Sequence, residues 1–294
     1  MSLGPAPHTI ENRFLTRPVG RLFLSNALPM AVVMSTGGLL NVIDGIFVGR
    51  FVGAQALAAV SLAFPVVMLL TALTTLAGGG MASLLARHLG AGARREAGEV
   101  FAGGHGLALA LSAVLITAAL SLGPAMLSAL AAGDAAVAGP AQSYLLILIL
   151  GAPIQFGVGL HADALRSEGR AGHIALLSVL VNLLNAGANY VAIVLLGLGV
   201  AGSALGTVVA QALGLALLLG LRACDHGLLP LGVLRQASWL SGWGRMLSLG
   251  LPLCLTFVGM ALVASTVLRI IGTAAAETAP YIAAYGAVTR ILGL

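Results

Sequence analysis

The sequence predicts an all-α membrane protein: a six-helix N-terminal lobe followed by the first two helices of a second six-helix lobe. Three observations carry that prediction: a composition too apolar for water, a succession of apolar stretches long enough to cross a bilayer, and arginines gathered at alternate ends of them. Hydrophobic residues are 59% of the 294 and charged residues 8%, against roughly 25% charged in soluble domains. Mean hydropathy is +1.06. So few charges cannot clothe a water-facing surface, so lipid is the solvent for most of the chain.

A helix needs about 20 apolar residues to cross a hydrocarbon core of about 30 Å. Seven stretches qualify, at 22–48, 56–86, 99–122, 139–164, 173–196, 200–222 and 246–271, and an eighth begins near 279. They must be helices, because lipid satisfies no exposed backbone group and the stretches are too long for barrel strands. Residues 1–21 form a tail. Arg13, Arg17 and Arg21 precede an apolar stretch longer than the 7–15 residues of a signal core, and further spans follow, so no cleavable signal is expected. The N-lobe is assigned to 22–222, an inter-lobe linker with Trp239 and Trp243 suited to the membrane interface to 223–245, and the start of the C-lobe to 246–294. Leu28-Pro29 returns as Leu251-Pro252, and Ala56-Leu57-Ala58-Ala59-Val60 returns as Tyr281-Ile282-Ala283-Ala284-Tyr285, at offsets of 223 and 225. A six-helix repeat is the mark of two-lobed transporters.

Every basic residue among the 14 is Arg. With the N-terminus inside, eleven lie on the cytoplasmic side: Arg13, Arg17, Arg21, Arg87, Arg94, Arg95, Arg166, Arg170, Arg222, Arg235 and Arg245. Arg50 and Arg269 lie opposite, and Arg290 lies in the last span. The net charge of +5 is therefore a topology signal. No nucleic-acid partner is expected; the expected setting is the cell inner membrane, crossed many times. Cys224 and Cys254 have no disulfide or metal-ligand spacing. No Walker lysine, HExxH or GxSxG is present, so neither an enzyme nor an ATP-driven pump is expected within this chain.

Asp44 is the most informative residue. It lies in the outer part of the first span, where a charge costs up to roughly 2.5–3.5 kcal/mol on insertion scales and usually faces a bundle interior or watery cavity. A carboxylate there can load a cation or a proton; the plainer reading is an interfacial Asp beside Arg50. Asn182, Asn185 and Asn189 share one face of the fifth span, and Ser203, Thr207 and Gln211 one face of the sixth. Such stripes also simply join helices, and Gly202 and Gly206 read as close packing. Pro29 and Pro65 sit inside apolar helices, as hinges or static kinks. The histidines, His105 and His161 included, read as packing. Asp163, Arg166 and Glu168 read as a solvated helix end with local ion pairs.

The runs Leu28-Pro29, Asn41-Val42-Ile43-Asp44-Gly45-Ile46-Phe47-Val48-Gly49-Arg50 and Ala56-Leu57-Ala58-Ala59-Val60-Ser61 resemble the first helix and loop of the multidrug and toxic compound extrusion (MATE) family. So do Ala86-Arg87-His88-Leu89-Gly90-Ala91-Gly92, Leu165-Arg166-Ser167-Glu168-Gly169, Asn182-Leu183-Leu184-Asn185 and the run from Gly197 to Thr207, in the family's order. The resemblance implies twelve helices in two lobes, and Na+ or H+ exchanged for amphipathic cationic drugs by alternating access, with no other cofactor and a monomer as the working unit. It implies an N-lobe cation site on Asp44, Asn185 and Thr207, with Pro29 as the bend of the first helix. Where the family usually has a second Asp on helix five, this chain has Asn189, whose carbonyl can still serve as a ligand. The seventh span has no Asp or Glu, so the second-lobe ion site of some relatives is not expected.

A twelve-helix protein also leads to the expectation that these 294 residues are a fragment or a truncated product. Two rival readings follow: a lipid-linked oligosaccharide flippase of the same superfamily, which would need intramembrane arginines for its anionic headgroups, and a non-transporting remnant.

Overall fold

The computed structural model describes residues 18–130, 135–225, 229–274 and 278–292. The expected tail, with Arg13 and Arg17, lies almost wholly outside the described residues. Among the described residues the chain is helical throughout: α1 (Val19–Phe47), α2 (Ala54–Gly90), α3 (Arg94–Leu130), α4 (Ala135–Leu150), α5 (Ala152–Ser167), α6 (Ala171–Asn189), α7 (Gly199–Cys224), the short α8 (Val233–Gln236), α9 (Trp243–Ala274) and α10 (Thr278–Leu292). Among the described residues six helices are long and apolar enough to cross a membrane, and α4 with α5, bent by 50° at their junction, forms either one broken span or a re-entrant loop. The outer face of α1 is apolar and bare, with Leu28, Met34 and Leu39 exposed by 64%, 75% and 60%. A row like that on a lone water-facing helix would be a large apolar patch; against acyl chains it is ordinary.

Proline does not break the first two helices. α1 continues through Pro29 and α2 through Pro65. The sharp bend falls at Gly151, with Pro153 in the first turn of α5. Proline lacks the N–H that would join the two segments into one helix, and Gly151 lets Val208 of α7 approach to 2.6 Å from where a Cβ would stand.

α2 is the central post, packed against α3, α4, α5, α9 and α10. Its contact with α9 is made by reciprocal glycines: Gly80 faces the Met246 carbonyl and Gly250 faces the Leu76 carbonyl, leaving no room for a Cβ at either. Helices in lipid associate by close packing of small residues rather than by escaping water, which is why 40 glycines are compatible with a stable helical protein. The described part of the predicted linker is not a free loop. Gly103 and Gly106 of α3 admit the backbones of Ser241 and Trp239, and Trp243 Nε1 donates to Gly103 O at 3.0 Å and Trp239 O at 2.8 Å.

Both α1 and α6 end in π-helical turns, Val48–Val52 and Tyr190–Leu195, which pack together at one end of the bundle. Wide turns of this kind recur at functional sites. Gly53 follows the first with φ 115° and Gly197 the second with φ 64°, values that glycine adopts without steric cost.

Candidate functional site

Just inside those π turns, α1, α6 and α7 bring polar side chains together. Asp44 is one turn before the first π turn, and Asn189 is the last residue before the second. Asn189 Nδ2 donates to Asp44 Oδ1 and to Asn185 Oδ1 at 3.1 Å. Asn185 Nδ2 donates to Thr207 Oγ1 at 3.1 Å, and Thr207 Oγ1 donates to the Ser203 carbonyl, also at 3.1 Å. Ser203 Oγ closes the ring at 3.3 and 3.4 Å from the two Asp44 oxygens. Asn185, Asn189 and Ser203 are buried, at 5%, 1% and 0% exposure. Helical periodicity makes this possible: Asn185 and Asn189 lie four residues apart, as do Ser203 and Thr207, so each pair stacks on one face.

The structure thus places Asp44, Asn185, Asn189 and Thr207 in one hydrogen-bonded cluster. Pro29 lies four turns earlier on α1, away from it. Ser203 belongs to the cluster, although in the sequence it was only one member of a polar stripe. Asn182 stands off: its Nδ2 is buried without a partner. Arg50 is exposed on the π turn and, among the described residues, forms no ion pair with Asp44, so Asp44 is not the interfacial partner of that arginine.

The donor set is oxygen-rich: two carboxylate oxygens, two amide oxygens and two hydroxyls. Hard cations prefer such ligands. Asn189 Oδ1 is buried and has no hydrogen-bond partner; it lies against Gly206, where a Cβ would overlap it. An unpaired buried carbonyl is costly and is an available ligand. A cleft of about 370 Å3, lined by Val52, Ser143, Val200 and Ala201 among others, opens at the same end of the bundle.

At the other end, the fold overturns two expectations. Asp163 pairs with Arg166 at 2.6 Å as a local helix-end pair, but Glu168 does not join them. It meets Arg222 of α7 in a bidentate pair at 2.8 and 3.1 Å, with side-chain exposures of 5% and 1%. Arg222 is therefore no solvated topology charge, unlike the exposed Arg87, Arg94, Arg95, Arg166, Arg235 and Arg245. It also donates to Leu229 O at 3.1 Å and stacks 5.0 Å from the Phe101 ring centroid. Beside it, His105 and His161 are direct neighbours, with Nε2 atoms 3.4 Å apart. His105 Nδ1 lies 2.8 Å from Phe101 O, so it carries the proton. In a neutral pair, His161 Nε2–H then donates to His105 Nε2.

Fold and site together define a multi-pass helical membrane protein built like a transporter, with a carboxylate-centred polar cluster in its first bundle. The chain belongs to the MatE family, whose model matches residues 29–191. It is 29% identical over 175 residues to the FAD transporter of Shewanella oneidensis, an alignment covering 58% of this chain and 37% of that one. Among solved structures it resembles the MATE multidrug transporter DinF-BH, determined with a bound ligand, at TM-score 0.86 and 26% identity, covering 94% of this chain and 61% of that one. It also resembles an inward-facing multidrug resistance MATE transporter of the MOP superfamily, at TM-score 0.77 and 28% identity, covering 87% and 59%. The chain spans less than two thirds of the length of each of these relatives.

Proposed function

We propose that the protein carrying this chain is a secondary multidrug exporter that exchanges Na+ or H+ for amphipathic cationic compounds by alternating access. In this reading 22–222 is the N-lobe, 223–245 the inter-lobe linker and 246–294 the start of the C-lobe, in a cell inner membrane with the N-terminus cytoplasmic. The observation that carries the proposal is the Asp44 carboxylate, held by Asn189 and Ser203 between membrane helices. Intramembrane carboxylates mark ion and proton pathways, and this one shares its hydrogen-bonded cluster with side-chain oxygens of Ser203, Asn185, Asn189 and Thr207.

Asn189 supplies the exchange step. Its amide N–H groups satisfy Asp44 and Asn185, and rotation about its Cβ–Cγ bond would turn Oδ1 toward the same centre. An entering Na+ would take the place of the amide N–H between Asp44 Oδ1 and Asn185 Oδ1, with Ser203 and Thr207 oxygens completing the shell. A proton would instead sit on the carboxylate and donate to the rotated Asn189 Oδ1. Either cation removes the net charge of Asp44, and with it the desolvation cost that resists closure around the site.

The test is reconstitution of the complete protein in liposomes and measurement of cationic dye movement under an imposed Na+ gradient, an imposed H+ gradient, and neither. Dye transport driven by one gradient supports the reading; transport indifferent to both rejects it. FAD, named for the Shewanella oneidensis relative, belongs in the same assay as the competing anionic substrate class.

A further inference from the structure

Arg290 is the one charged residue described on α10, and it points at α1. Its Nη1 lies 2.6 Å, its Cδ 3.1 Å and its Cζ 3.5 Å from where a Cβ would stand on Gly45, the neighbour of Asp44. Alanine at that position would push the guanidinium away. Nη1 is buried and has no hydrogen-bond partner among the described residues. The side chain lies in a groove of about 220 Å3 whose other walls are Val42, Ile46, Leu57 and Ala287, all apolar. One turn earlier on α10, a Cβ at Gly286 would overlap Ser61 Oγ of α2, so this helix also packs closely there.

A guanidinium in an apolar groove is expensive unless an opposite charge lies nearby. The carboxylate beside this contact is Asp44, the residue immediately before Gly45. No ion pair joins Arg290 to Asp44 within bonding distance among the described residues. The two charges therefore compensate each other through space, while Asp44 keeps its hydrogen bonds to Asn189 and Ser203.

The geometry points to Arg290 as a tethered cation that competes with the transported ion for the Asp44 carboxylate, so that ion binding loosens the contact of α10 with α1. This rests on the cation-site reading of Asp44 and gives it a consequence. One carboxylate cannot balance two positive charges, so when Na+ neutralises Asp44, Arg290 loses its counter-charge. The cheapest response is for α10 to withdraw the guanidinium from the Gly45 groove toward water. Since α1 belongs to the first lobe and α10 to the second in the proposed division, the ion's arrival would be converted directly into a weaker inter-lobe contact. Coupling of this kind requires only that the ion and the contact have different preferences for the same charge.

The test uses the complete protein with Cys224 and Cys254 replaced, and one cysteine introduced on each helix as Val42→Cys and Ala287→Cys. Cross-linking is followed while Na+ is titrated at fixed pH. With Arg290 present, Na+ should slow cross-linking. In Arg290→Gln, cross-linking should become insensitive to it, and the cation's half-saturating concentration for protecting the complete protein from thermal unfolding should fall about tenfold. Arg290→Lys, which keeps the charge, should restore the native response, whereas a merely structural arginine would not be rescued this way. Cross-linking that ignores Na+ with Arg290 present, or Arg290→Gln protection within about twofold of native or weaker, overturns the proposal. Asp44→Asn separates the two levels. If it is protected by cation as the native protein is, the cation-site reading fails and this inference with it. If protection needs Asp44 but not Arg290, only the inference fails.

Discussion

Asn189 Nδ2 on α6 donates to Asp44 Oδ1 on α1, joining residues 145 apart in sequence inside one polar cluster. The donor is an amide where the family pattern usually has a carboxylate. That difference sets the charge of the site: one carboxylate, with carbonyl and hydroxyl oxygens around it.

Asn189→Asp restores a second carboxylate against the first. Two carboxylates in contact repel, and a bound cation relieves the repulsion. Na+ at pH 8 should therefore protect the variant from thermal unfolding at a concentration about tenfold or more below that required by the native protein. The variant should be less stable than native when no Na+ is present. Thermal melting over a Na+ series checks both statements.

Gly206→Ala places a methyl group where Asn189 Oδ1 now lies. The apolar surface of α7 is unchanged, so membrane insertion and expression should hold. The amide loses room to rotate, and ion-driven dye transport should fall by about tenfold or more. Transport at the native rate would show that Asn189 Oδ1 does not need that space.

The buried Glu168–Arg222 pair makes a prediction about stability alone. Removing one partner leaves an unpaired buried charge, a loss of about 3–5 kcal/mol. Glu168→Gln and Arg222→Leu should each lower the melting temperature sharply. The double variant Glu168→Gln/Arg222→Leu should recover part of the loss, and a double-mutant cycle by thermal melting measures the coupling.

The spans were legible because lipid imposes length and apolarity on every crossing helix, and 22–48 or 56–86 announce themselves on that ground alone. Asp44 was legible for the complementary reason, being a charge where a charge is costly. Ser203 was harder: a serine on an apolar helix usually bonds back to its own backbone, as Ser61, Ser112 and Ser265 do. Only its bond to Asp44 on α1 distinguishes it. The His105–His161 contact spans 56 residues and the Glu168–Arg222 pair 54, so neither has a local pattern to betray it. The 50° break at Gly151 has the same origin. A proline's effect depends on the helices packed around it, and that information is tertiary.

The most direct test of the account is cation-coupled dye transport by Asp44→Asn in liposomes, at matched protein density, with folding verified by thermal melting. Asparagine keeps the shape and can still bond to Ser203, but it carries no charge. The account predicts transport at the level of empty liposomes under both Na+ and H+ gradients. Transport at the native rate from a folded Asp44→Asn protein would contradict it.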